Sequence, residues 1–271
     1  MFTGFISHFC TTWKSGWRSR AFIAVSIIGL GLIACAWLAA AFSARQPQAV
    51  ALDVGLSAIR ISLTLLSLSW IQELVGREIE KRTVFFVLAY PQSRKVYVLG
   101  RYFGIMSMLG VALIFLAIVL VLVVKAANWG YIVPHQLQLG WPLIWTLLGI
   151  LLDLSVVTAV AMSIALISTS AIMPLLCGIG FALSARMMGP ILTYLSQGAD
   201  GDTELANNFT PIINKIAWLI PDLDRLDIRS WPLYGIKPDF SIFLASNLSI
   251  TSYTIVILAI GVFAFNKREF S

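Results

Sequence analysis

Charge is what this sequence has least of. Only 12% of its 271 residues are Asp, Glu, Lys or Arg, against about 25% in soluble domains. Hydrophobic residues make up 59% and the mean hydropathy is +0.87, so the composition points to a lipid-embedded chain rather than a large soluble core. Cysteine is scarce as well: Cys10, Cys35 and Cys177 lie far apart with no CxxC spacing, and read as small packing residues rather than metal ligands or disulfides. The two histidines, His8 and His135, are too few and too distant to assemble a metal site or a catalytic triad. No GxxxxGK[ST] occurs, and no Gly-rich loop precedes a helix in a soluble βαβ setting. The acids of "GADGDTELANN" lack EF-hand spacing. The chain is therefore expected to hold no enzyme active site and no cofactor of its own.

Long apolar runs are what it has instead. A bilayer core of about 30 Å needs about 20 apolar residues in helix, and six stretches are candidate spans: 21–44, 54–76, 97–124, 139–167, about 171–186 or somewhat further, and 242–265. The expected fold is all-α and polytopic, a single transmembrane domain over 1–271. Of nineteen Lys and Arg, eleven fall in residues 1–20, in the bridge between spans two and three, and in the tail. Six spans put those three segments on one side. The positive-inside rule makes that side, with both termini, cytoplasmic, and the net charge of +6 then reflects membrane topology rather than a nucleic-acid partner. The opposite loop, 187–241, balances four basic residues with seven acids. A cleavable signal peptide does not fit, since 21–44 is too long for an h-region and starts too late.

In residues 1–20, Phe2, Phe5, Ile6, Phe9, Trp13 and Trp17 recur at helical spacing, with Lys14 and Arg18 elsewhere on the wheel. That pattern predicts an amphipathic helix in the interface plane, either a plain membrane anchor or a lever that touches a cytoplasmic partner. The bridge 77–96 is denser in charge. Glu73–Arg77 and Glu78–Arg82 have i,i+4 spacing with the acid first, the favourable order for a helix leaving the membrane. "TVFFVLA" is apolar but too short to span, and Pro91 breaks the chain. An apolar patch between charged flanks marks either a protein contact or a loop that dips back into lipid.

"REIEKRTVFFVLAYPQSRKVYVLGRYFG" resembles the signature of ABC-2 type transporter permeases, in which an "E-x-E-x-x-T" stretch, a short apolar helix and a "P-x-S-R" turn join spans two and three. "IPDLDRLDIR" before the last span is similar to a stretch of the branch associated with multicopper-enzyme maturation. "EKRT" here replaces the commoner "EEGT". The resemblance implies a coupling helix that docks on a separate ATPase subunit, with Glu78, Arg82, Thr83, Phe85, Phe86, Pro91, Ser93 and Arg94 as the contact residues. It also implies an exporter in the cytoplasmic (bacterial inner) membrane, built as a homodimer or heterodimer of permeases, with ATP and Mg bound by the partner ATPase. A secondary transporter would show inverted repeats and interrupted helices, and none is visible. A non-transporting membrane scaffold for a cytoplasmic complex is the other alternative.

Arg60, Asp153 and Arg186 are charged residues singled out within the predicted spans. A central Asp or Arg costs about 2.5–3.5 kcal/mol on insertion scales. Arg60 and Asp153 either line a translocation path or pair between helices. Counted from the predicted span ends, they lie about 9 Å and about 21 Å deep at 1.5 Å per residue, so a direct pair needs helix tilt or a different register. Arg186 is placed at the end of span five, where it can snorkel. In 187–241, Pro-punctuated apolar pieces predict re-entrant or surface helices at the outer face, or a plain structured loop.

Overall fold

The computed structural model describes residues 2–43, 45–81, 83, 93–129, 137–196 and 221–267, with the backbone alone at 2, 3 and 196. The protein is an all-α polytopic membrane protein, and no strand occurs among the described residues. A first helix, α1 (Phe2–Trp17), precedes six that are long and apolar enough to cross a membrane. These are α2 (Arg20–Ala41), α3 (Pro47–Ile71), α5 (Arg94–Ala126), α6 (Trp141–Ile167), α7 (Met173–Ser196) and α9 (Phe240–Lys267). Between α3 and α5 lie one turn of π-helix (Gln72–Gly76) and the short α4 (Arg77–Glu80). A 3-10 turn (Asp224–Leu226) and α8 (Ser230–Tyr234) precede α9.

The helices divide into a centre and a periphery. In α3 and α6, 67% of the most apolar stretch is buried, against 22% in α2 and 28% in α7 and α9. α3 touches α2, α5, α6 and α7, while α9 packs on α6 and α1 on α5. The central helices carry the polar residues. Ser62 and Thr64 of α3 turn back onto the carbonyls of Ala58 and Arg60, which satisfies their hydroxyls without leaving the helix.

Contact between helices is set by small residues. Gly100 and Gly104 form a GxxxG step on α5, and a Cβ on either would come within 2.8 Å of the His8 or Thr12 side chain of α1. Without a hydrophobic force between helices in lipid, such steps allow the close backbone approach that packing needs. The buried stripe of α1 is accordingly Gly4, His8, Thr12 and Gly16. The aromatic rings of Phe5, Phe9, Trp13 and Trp17 stack along the adjacent edge.

Several sequence expectations are corrected by these helices. α3 begins at Pro47, seven residues before the predicted span at 54, because Pro at the first position starts a helix readily. α7 continues through Pro190 to Ser196, so the predicted end of span five at 186 falls in mid-helix. The Glu73–Arg77 pair does not form among the described residues. The π turn over Gln72–Gly76 inserts a residue, and i,i+4 partners there no longer face each other. Cys10, Cys35 and Cys177 are all exposed. They sit on outward faces, where a thiol behaves as a small apolar group, and not in the packing they were expected to fill.

Candidate functional site

α3, α6 and α7 each bring one charge to the same depth. Arg60 lies thirteen residues from the start of α3 and Asp153 twelve from the start of α6, which is about 20 Å and about 18 Å along the two axes. The pair that span ends taken from hydropathy had separated is therefore level. Arg60 Nε donates to Asp153 Oδ2 at 2.8 Å, and Asp153 is fully buried. Arg186, ten residues from the end of α7, does not snorkel. Its Nη2 donates to Asp153 Oδ2 at 2.7 Å and to Thr64 Oγ1 at 2.8 Å.

A return segment supplies the rest. Residues 221–229 fold back against the bundle, with Leu223 N–H donating to the Ala185 carbonyl at 3.1 Å and Leu223 fully buried. This places Asp227 Oδ2 3.0 Å from Arg60 Nη1, and the Leu223 carbonyl 3.3 Å from Arg60 Nη2. Arg229 grips Asp227 with Nη2 at 2.6 Å and reaches Asp53 Oδ1 at 2.9 Å and Ser57 Oγ at 2.8 Å. The order Arg186, Asp153, Arg60, Asp227, Arg229, Asp53 alternates in sign and sums to zero. Beside Arg60 and Asp227 the free space is about 10 Å³, at the limit of what holds one water.

The electrostatics follow from the contacts. Burial works to raise the Asp227 carboxyl, but the hydrogen bonds and charge of Arg229 and the charge of Arg60 together hold it below the usual carboxylate range. Burial likewise disfavours the Arg229 cation, and its bonds to Asp227 and Asp53 outweigh that and raise it. Asp224 moves the other way: partial desolvation, then the charges of Asp222 and Asp227, raise it.

A second cluster closes the α1 end of the bundle. Arg101 Nη2 donates to Glu78 Oε1, and its Nη1 donates to Thr12 Oγ1 at 3.3 Å. Tyr97 Oη donates to Glu78 Oε2 at 2.8 Å, its ring meets His8 edge-on at 5.4 Å, and it stacks on Phe265 at 6.0 Å. Arg94 caps α9 by donating to the Phe265 carbonyl at 2.7 Å. These contacts join α1, α4, α5 and α9.

The bridge residues fare unequally. Glu78 is turned inward by Arg101 and Tyr97. Thr83 hydroxyl donates to the Glu78 carbonyl at 3.1 Å. Ser93 precedes α5 without a side-chain cap, and Arg94 is tied to α9. Arg82, Phe85, Phe86 and Pro91 lie outside the described residues.

Asp53, Thr64, Asp227, Arg229 and the buried roles of Tyr97 and Arg101 were not singled out by sequence. Their signals were present: the GxxxG step in "LGRYFG", and the Asp-rich "DLDRLDIR" beside a membrane helix that holds an unpaired Arg. The chain matches no family model, and no curated protein matches it.

Proposed function

We propose that this chain is the membrane-spanning permease subunit of an exporting ABC transporter, driven by ATP hydrolysed in a separate cytoplasmic subunit. In this reading both termini face the cytoplasm, two permease copies flank the path, and the bridge 77–96 docks on the ATPase. Mg and ATP are bound by that partner. The reading is supported above all by the cluster of Glu78, Arg101, Thr12 and Tyr97. It links the start of the bridge to α1 and α5, and through Phe265 and Arg94 to α9. A push on the bridge is thereby passed to several helices at once. The basic segments that predict the cytoplasmic side meet at this same end.

Arg60 and Asp153 then act as a lock and not as a lining, since each is bound by protein partners. Their network makes α3, α6, α7 and the return segment one body that tilts as a unit. The same closure favours a second reading, a membrane scaffold that anchors a cytoplasmic complex without moving a solute.

Co-purification from native membranes separates the two. The transport reading expects an ABC ATPase to come with the chain, and to hydrolyse ATP coupled to solute movement in proteoliposomes. Hot-spot side chains cost about 2 kcal/mol or more when truncated, so Phe85→Ala or Phe86→Ala, or the double variant, should release that ATPase while the chain still inserts. Retention of the partner with full coupled transport in all three variants rejects the bridge as the coupling element. A partner that binds while no solute moves leaves the scaffold.

A further inference from the structure

A groove of about 380 Å³ opens between α2, α3 and α5, at the elbow where α1 hands over to α2. Its wall is nearly all apolar, with Phe22, Ser26, Leu66, Ala112 and Phe115 among the lining residues and Trp17 at the elbow. It follows α2 from Phe22 to Leu30, eight residues or about 12 Å at the helical rise. A helix of about 10–12 Å diameter is too thick for it, whereas an extended hydrocarbon chain fits.

Two features at the elbow specify more than hydrocarbon. The indole nitrogen of Trp17 is buried and has no hydrogen-bond acceptor among the described residues. A buried Trp N–H ordinarily finds one, and at a membrane interface the tryptophan ring sits with an apolar body and a polar tip. Next to it, Lys14, Arg18 and Arg20 are exposed, and none pairs with a carboxylate among the described residues. Arg18 follows Trp17 directly, and Arg20 opens α2 two residues before Phe22. The elbow between them is held firmly: Trp70 Nε1 donates to the Gly16 carbonyl and to Ser19 Oγ, each at 3.1 Å, and Ser19 caps the Phe22 N–H. Cation, hydrogen-bond donor and apolar groove thus follow one another from the elbow into the bundle.

We propose that the α1–α2 elbow binds one anionic glycerophospholipid. Its acyl chain fills the groove, a small turn of the Trp17 ring that lines it brings the otherwise buried Nε1–H to an ester carbonyl, and its phosphate is met by Arg18 and Arg20. The order matches that of the lipid itself, with charge outermost, esters below it and hydrocarbon deepest. A bound lipid would cement α1 to α2, α3 and α5, and so make the posture of α1 depend on the anionic lipid content of the membrane. The proposal goes beyond the transport reading and needs only this chain.

The test uses the full-length chain purified in detergent and given equal amounts of phosphatidylglycerol and phosphatidylcholine, with retained lipid read by native mass spectrometry. A single phosphatidylglycerol should stay bound in preference to phosphatidylcholine. In Arg18→Gln/Arg20→Gln the preference should fall about fivefold per charge, as expected for basic residues near an anionic headgroup. Ser26→Phe, which fills the groove from a partly exposed position, should abolish retention. Phosphatidylglycerol brominated on its acyl chains should quench a fluorescence component that Trp17→Phe removes. Equal retention of the two lipids overturns the proposal, as does a preference that survives the arginine substitutions. So does a chain that holds no lipid and instead dimerises through this face. Both arginines are exposed, so that variant tests the idea even if Ser26→Phe fails to fold.

Discussion

Arg60 of α3 and Asp153 of α6 meet at 2.8 Å in the most buried part of the bundle, and Arg186 shares the same carboxylate oxygen at 2.7 Å. One acid therefore answers two cations, and Asp227 supplies the second charge that Arg60 needs. Breaking a buried pair by removing one partner is far more harmful than the pair is stabilising.

Asp153→Leu should accordingly be the most damaging single substitution in the network. It leaves Arg186 with the Thr64 hydroxyl and no counter-charge, and Arg60 with Asp227 and the Leu223 carbonyl, with an expected loss of about 3–5 kcal/mol. Asp153→Asn keeps an acceptor and should fall between Leu and wild type while still inserting. Thermal unfolding in detergent, with all variants at matched expression, checks the order. A Leu variant as stable as wild type would show that the two arginines find other partners.

The glycines make a sharper claim about the return segment. A Cβ on Gly149 of α6 would lie 2.5 Å from the Leu226 carbonyl oxygen, whereas one on Gly110 of α5 meets nothing within 4 Å. Gly149→Ala should push residues 223–229 away and pull Asp227 off Arg60. Overpacking of this kind costs about 1–3 kcal/mol. Gly110→Ala should be neutral or stabilising by up to about 1 kcal/mol from helix propensity. Equal stability of the two variants would mean that 223–229 does not rest on α6.

At the α1 end, Glu78→Gln weakens the hold of Arg101 and, through it, of Thr12. His8, one turn before Thr12 on the same stripe, is buried, so a His8→Cys reporter in a chain with its natural cysteines replaced by Ser should resist maleimide. Adding Glu78→Gln should raise its labelling rate several-fold. An unchanged rate would locate the hold on α1 in the GxxxG contact alone.

Acid should loosen the return segment before it affects the helices. The Asp227 carboxyl is held below its ordinary value of 3.8. The stability it contributes is present above that value and is lost as pH falls through the lower folded one. Asp224 is raised, so it favours the folded state at low pH and opposes it once ionised. Asp227→Asn should therefore lower stability at pH 7 and remove part of the acid dependence below about pH 4. Asp224→Asn should raise stability slightly at pH 7. Denaturation midpoints between pH 3 and pH 7 test both signs.

Hydropathy alone determined that the chain is helical and, among the described residues, holds six helices long and apolar enough to cross a membrane. A helix in lipid satisfies its own backbone hydrogen bonds, so the decision is local and is written in each run of about 20 apolar residues. The clustering of basic residues at alternate connections was equally local. What only the tertiary structure decided is which charges meet. Pro47 starts α3 early, α7 runs on through Pro190, and a π turn shifts the register at Gln72–Gly76. Each changes the depth or facing of a side chain without altering the hydropathy profile. The apolar periodicity of α1 named an aromatic face, yet its buried stripe is Gly4, His8, Thr12 and Gly16. In lipid, close backbone approach decides packing, while apolar surface has no preference for protein over hydrocarbon. Asp227 reaches Arg60 across 167 residues of sequence, and no local pattern encodes that distance.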